Sequence, residues 1–171
     1  MSAPHKIHRT AMCACGSVEF EAVGAPIVSL ACYCDDCQEA ARQIEALPNA
    51  RPVQDPDGGT AFVAYRKDRV RCTRGAQLLE RHKLQEASPT NRLVATCCNS
   101  AMLLNFDDAK HWVDLYRSRL QGEIPSLQMR VCTRFRPGAD ELPGDAPSYP
   151  GYPFRFIAKL LAARFAMLLR L

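Results

Sequence analysis

Apolar and polar residues alternate with a period of two through most of this chain. In residues 17–24, Val18, Phe20 and Ala22 fall on one face and Ser17, Glu19 and Glu21 on the other, the mark of a half-buried strand. Residues 26–34 predict a second strand that runs directly into a group of cysteines. The period then changes. Asp35 and Asp36 are N-cap residue types, Ala40, Ala41, Ile44 and Leu47 follow helical spacing, and Pro48 ends the element. Asp57-Gly58-Gly59 signals a turn before an apolar strand at 60–65. Further strands are predicted at 69–73, 78–84, 92–97, 101–106, 112–116 and 127–135, the last with Leu127, Met129, Val131 and Phe135 on one face. Many short strands and one short helix predict a mainly β, mostly antiparallel domain over residues 11–135.

The flanks read differently. Residues 1–10 show no period and are expected to be a mobile tail. Residues 136–153 hold five prolines and three glycines, a composition that predicts a linker or an extended surface segment. Residues 154–171 contain strong helix formers and no breaker, and predict an amphipathic helix.

Composition narrows the class. With 171 residues, 47% of them hydrophobic and 23% charged, the chain has the make-up of a globular protein. There is neither an apolar run long enough to span a membrane nor the apolar core of a secretory signal. A cytoplasmic protein is expected. Of the 22 basic residues, Arg155, Lys159, Arg164 and Arg170 lie in the last segment with no acid beside them, so the whole excess of +4 sits there. The neutral remainder has no basic block, which argues against nucleic acid as a partner.

Nine cysteines fall at positions 13, 15, 32, 34, 37, 72, 97, 98 and 132. An odd number of thiols in a cytoplasmic chain argues against a disulfide framework. Seven lie in C-x-C, C-x-C-x-x-C and C-C clusters, and thiolates bunched this tightly usually hold a metal. Gly16, after Cys15, supplies the backbone freedom that lets a C-x-C converge on one ion. Cys32, Cys34 and Cys37 bring three sulfurs from one turn with no fourth ligand nearby, the pattern of a zinc site with an open position. Soft thiolates also suit iron–sulfur clusters, so spacing alone leaves the metal open. Cys72 and Cys132 are read as small hydrophobes outside the sites.

Two stretches, Cys13-Ala14-Cys15-Gly16-Ser17-Val18-Glu19-Phe20 and Cys32-Tyr33-Cys34-Asp35-Asp36-Cys37, resemble the glutathione-dependent formaldehyde-activating enzyme family, which includes centromere protein V. Cys98-Asn99-Ser100, followed by an apolar strand, is similar to a third element of that family. The resemblance implies a β-rich Mss4-like zinc-binding fold with up to two Zn²⁺ per chain. Carried over residue by residue, Cys13, Cys15 and Cys98 would hold a structural zinc. Cys32, Cys34 and Cys37 would hold a catalytic one, with glutathione as a co-substrate thiol. The family's remaining structural ligand would stand at position 95, which is alanine here. Cys97 is either its substitute or a buried small hydrophobe. Tyr33 stands where the family often has histidine.

Two functions compete at this level. One is a carbon–sulfur lyase activity: addition of a thiol to a small aldehyde, or cleavage of the adduct, with Tyr33, Asp35 and Asp36 as candidates for the proton relay. The other is a non-catalytic zinc module for a protein or membrane partner. Its support is the last helix, whose apolar arc is opposed by Arg155, Lys159 and Arg170, a pattern suited to subunit docking or to an anionic membrane surface. A thiol-redox role is weaker, because the C-x-x-C lacks a βαβ context.

Overall fold

The computed structural model describes residues 7–138 and 140–170. Ten strands form two sheets. A three-stranded antiparallel sheet has the order β1 (His8–Met12), β2 (Glu19–Val23), β5 (Val70–Arg74). A seven-stranded sheet runs β10 (Met129–Val131), β3 (Val28–Cys32), β4 (Thr60–Arg66), β9 (Trp112–Tyr116), β8 (Ser100–Phe106), β7 (Thr90–Ala95), β6 (Leu79–His82). Its pairings are antiparallel except β10 with β3, which is parallel. Among the described residues there are also two α-helices, α1 (Asp35–Glu45) and α2 (Phe154–Leu168), and four single-turn 3-10 helices.

The larger sheet is covered on both faces, and β4 shows how. Phe62 and Ala64 join one core with Val28, Leu30, Ile44 of α1, Tyr116 and Met129. Val63 and Tyr65, pointing the other way, join a second core with Val18 and Phe20 of the small sheet, Met102 and Leu115. Each large side chain removed from water here contributes about 1.5–3 kcal/mol. A central strand between two cores must be apolar throughout, which is why β4 reads as an unbroken run rather than an alternation.

Three expectations change. Residues 1–6 of the expected tail lie outside the described residues, but His8, Arg9 and Thr10 belong to β1. That strand lacks a clean period and is fixed by partners far along the chain: the ladder from His8↔Val23 to Met12↔Glu19, and an Arg9 Nη1 bond to the Tyr65 hydroxyl at 3.1 Å. β10 is shorter than 127–135, because Cys132 takes a left-handed conformation (φ 60°) and ends it. The segment expected as a linker is pinned to the body. Arg130 N–H donates to the Pro147 carbonyl and Tyr149 N–H to the Arg130 carbonyl, both at 2.9 Å.

The last helix therefore returns to the same body. Phe156 packs on the first core, Leu160 is buried, and His111 Nε2 donates to the Leu160 carbonyl at 2.7 Å. The apolar arc is thereby split. Phe154, Leu161, Phe165 and Leu168 remain exposed on the opposite side. Among the described residues no helix is long and apolar enough to cross a membrane.

Candidate metal centres and the cavity beside them

Two turns bring the first four sulfurs together. Cys13 follows β1, and the chain reverses through Gly16 (φ 78°) into β2. Cys97 and Cys98 sit in the turn from β7 to β8, where Asn99 is left-handed (φ 49°). That conformation lets two adjacent cysteines face one point. The Sγ–Sγ separations are 3.5 Å for Cys13–Cys15, 3.9 Å for Cys13–Cys97, 3.3 Å for Cys15–Cys97 and 3.9 Å for Cys97–Cys98. All four sulfurs lie within 4.8 Å of one another.

A tetrahedral zinc with Zn–S bonds of about 2.3 Å requires sulfurs about 3.8 Å apart, so the donor set fits such an ion. Its surroundings favour thiolates. Val18 N–H donates to Cys13 Sγ at 3.2 Å. The Ser17 hydroxyl and amide, with smaller contributions from Cys97 and Cys13, hold Cys15 down to about 6. The Cys97 reading as a ligand in place of the missing residue at Ala95 is the one with geometric support, and Cys97 is exposed rather than buried.

The second cluster is built by a strand end and a helix start. Cys32 closes β3, Cys34 is the N-cap of α1, and Cys37 lies in the first turn, its N–H bonded to the Cys34 carbonyl at 3.0 Å. The three Sγ atoms lie within 4.8 Å of one another. The helix N-terminus favours negative charge at this point. Hydrogen bonds from the Cys32 and Cys37 thiols hold Cys34 far below the ordinary thiol range. The three sulfurs have the softness and the spacing to hold zinc, with one position left for another donor.

Strand alternation decides what else reaches this cluster. Tyr33 points to the opposite face from Cys32 and is fully buried. Its hydroxyl donates to Asp57 Oδ2 at 2.8 Å and accepts from Arg130 Nε at 3.2 Å. Gly59 makes room for the ring, since a Cβ there would stand 2.7 Å from Tyr33 Cζ. Tyr33 thus packs with Ala31 and Ala61, apart from the three cysteines. Asp35 and Asp36 lie in the first turn of α1 and make no side-chain cap, the N-cap being Cys34. Of the two, Asp36 lines the cavity described next.

Sequence reasoning missed three residues. Cys132 is buried as expected, but parallel pairing of Val131 with Cys32 brings its sulfur into a hydrogen bond with Cys32. That bond holds the Cys132 thiol down to about 7. No local signal marks it, because the contact spans a hundred positions of chain. Arg92 and Asp114 line the cavity from β7 and β9. Burial pushes the Asp114 carboxyl up to about 7. A charged residue inside an apolar strand was the available signal for both. The cavity itself, about 350 Å³, has the three cysteines in its wall, and α2 contributes Phe156, Ile157 and Leu160 to it.

No curated protein matches the chain. Among solved structures, a crystal structure of a Rhodobacter sphaeroides protein from a structural genomics programme is similar with a TM-score of 0.48 at 18% identity. The match covers 68% of this chain and 91% of that one. Residues 8–51, which carry Cys13, Cys15, Cys32, Cys34 and Cys37, match the family model of the glutathione-dependent formaldehyde-activating enzymes.

Proposed function

We propose that the chain binds zinc at both clusters and catalyses addition of a thiol to a small aldehyde, or the reverse cleavage, at Cys32, Cys34 and Cys37. The observation that carries this reading is the asymmetry between the clusters: four sulfurs gather at the first and three at the second, and those three line a cavity. A closed four-thiolate set is structural, whereas an open one leaves room for a reacting group. Bound there, zinc would supply the Lewis acidity that keeps an incoming thiol deprotonated near neutral pH.

The chain's own residues account for the rest. The apolar cavity wall excludes water from the reacting pair. The thiol sulfur bonds to the aldehyde carbon, the carbonyl electron pair moves to oxygen, and a proton reaches that oxygen. Asp36, which shares the cavity wall with Asp114, is the carboxylate we assign to carry it. Glutathione is the thiol named in the family's description.

Two-dimensional exchange NMR of formaldehyde and its glutathione hemithioacetal tests the reading against a protein-free control. The zinc-loaded protein should accelerate exchange, Cys34→Ser should abolish the acceleration, and metal content should fall from two to one per chain in that variant. Cys132→Ser should keep both zincs and retain activity, because Cys132 touches Cys32 alone of the three. A loaded wild type that leaves exchange at the uncatalysed rate would refute the enzymatic reading.

A second reading concerns the free side of α2. Phe154, Leu161, Phe165 and Leu168 are exposed there, and the helix bears Arg155, Lys159 and Arg164 with no acid. Apolar anchors flanked by cations suit an anionic bilayer surface. The protein should co-sediment with vesicles containing phosphatidylserine and not with purely zwitterionic ones. Leu161→Asp with Phe165→Asp should remove that binding, and equal sedimentation of the double variant would exclude a membrane role for this face.

A further inference from the structure

We propose that the cavity beside Cys32, Cys34 and Cys37 accommodates a compact ligand with an aromatic or branched apolar body and one carboxylate, which the Arg92 guanidinium receives. The proposal rests on the thiol–aldehyde reading of the same site and names the class of carbonyl compound it would take.

Size and lining set the body of the ligand. A cavity of about 350 Å³ has the volume of on the order of ten waters, so a one-carbon aldehyde fills only a small part of it. Phe62, Leu104, Phe106, Trp112, Phe156 and Leu160 make its wall apolar and largely aromatic. The outer wall is fixed in place, because His111 Nε2 holds α2 at the Leu160 carbonyl at 2.7 Å.

Arg92 sets the charge. It is only 2% exposed, yet it sits in the cavity wall. Nη2 donates to the Asp36 carbonyl at 3.2 Å, and the Tyr116 phenol lies beside the same guanidinium. Nη1 is buried with no hydrogen-bond partner. Among the described residues no carboxylate forms an ion pair with Arg92. Register places Asp114 two strands away, through Arg92↔Leu104 and Leu104↔Asp114. Lys110, the other cation of the wall, is already paired with Asp108.

A buried guanidinium with an idle N–H is costly unless something arrives to use it. A carboxylate entering the cavity would give the guanidinium a carboxylate acceptor, which no residue paired with it supplies. The guanidinium is near enough to Cys34 and Cys37 for its charge to act on both. A carboxylate held on Arg92 would therefore leave the ligand's other end beside the sulfurs.

Trp112, the chain's single tryptophan, lies in the wall and reports occupancy without any turnover. The probes are 3-phenylpropionate, which cannot react, and its neutral isostere 3-phenylpropionamide, titrated into zinc-loaded protein and followed by tryptophan fluorescence and calorimetry. The acid should bind saturably and the amide about tenfold more weakly or worse. Arg92→Met should abolish the difference while metal content stays unchanged. Ile157→Glu, at an exposed wall position, should weaken acid binding without altering the fold. Equal binding of acid and amide, no saturable binding, or loss of zinc in Arg92→Met without loss of the acid preference would each overturn the proposal. None of these readouts depends on thiol–aldehyde catalysis, so failure here and failure of that activity are separate results.

Discussion

Replacing Cys97 with Ser should remove one zinc per chain and lower the melting temperature by roughly 10 °C or more. The first cluster joins elements distant in sequence: Cys13 and Cys15 between β1 and β2, Cys97 and Cys98 between β7 and β8. It therefore staples the small sheet to the large one at the edge of the second core. Structural zinc contributes an apparent 10–16 kcal/mol, about as much as a whole domain's net stability of about 5–15 kcal/mol. Cys97 is the informative position because its side chain is exposed, so exchanging sulfur for oxygen there costs little packing. Chelator-treated wild type should melt like the variant, and Cys72→Ser, at the half-buried thiol outside both clusters, should melt like the metal-loaded parent. A Cys97→Ser protein with two zincs and unchanged melting would show that three sulfurs suffice.

What the sequence made legible follows from range of interaction. Most of the strands and both helices carry a local signal, an alternation or, in β4, an unbroken apolar run, and strands such as 112–116 match the expectation end to end. β1 has no such period, because its place is dictated by pairing with β2 and by Tyr65, not by its own alternation. Within the site, the two tight cysteine motifs are local and were visible. Tyr33 stands between Cys32 and Cys34 in sequence, which suggests proximity, but strand pleating sends it to the other face. Cys132 and Arg92 enter the site through tertiary pairing, and no spacing rule encodes that. The segment at 136–153 has a loop's composition, but its carbonyls at Pro143, Ala146 and Pro147 are bound by one arginine just before it, Arg130.

Arg130→Met should destabilise the protein by about 3–5 kcal/mol and open the cavity. Arg130 is 3% exposed and serves three parts of the structure at once. Nε bonds the Tyr33 hydroxyl at 3.2 Å and Asp57 Oδ2 at 3.4 Å, Nη1 bonds the Pro143 carbonyl at 3.1 Å, and Nη2 pairs with Asp145 at 2.8 Å. Methionine fills similar volume but leaves Asp57 and the Tyr33 hydroxyl without their cation. It also frees the 140–149 stretch that leads into α2. Proteolysis should then cut within residues 137–153, and Trp112 emission should shift to the red as Phe156 and Leu160 leave its side of the cavity. The pH dependence has a definite sign. Burial works to raise the Asp57 carboxyl, but the Gly59 amide, Tyr33 and Arg130 outweigh it and hold the group below its ordinary value. A depressed carboxyl stabilises the fold above the ordinary carboxylate range, and that contribution is lost as pH falls through the folded value. The gap in stability between wild type and Arg130→Met should therefore be widest near neutral pH and narrow on acidification. A gap independent of pH, with intact resistance to proteolysis, would assign Arg130 to packing alone and leave α2 to be held by His111 and its own apolar face.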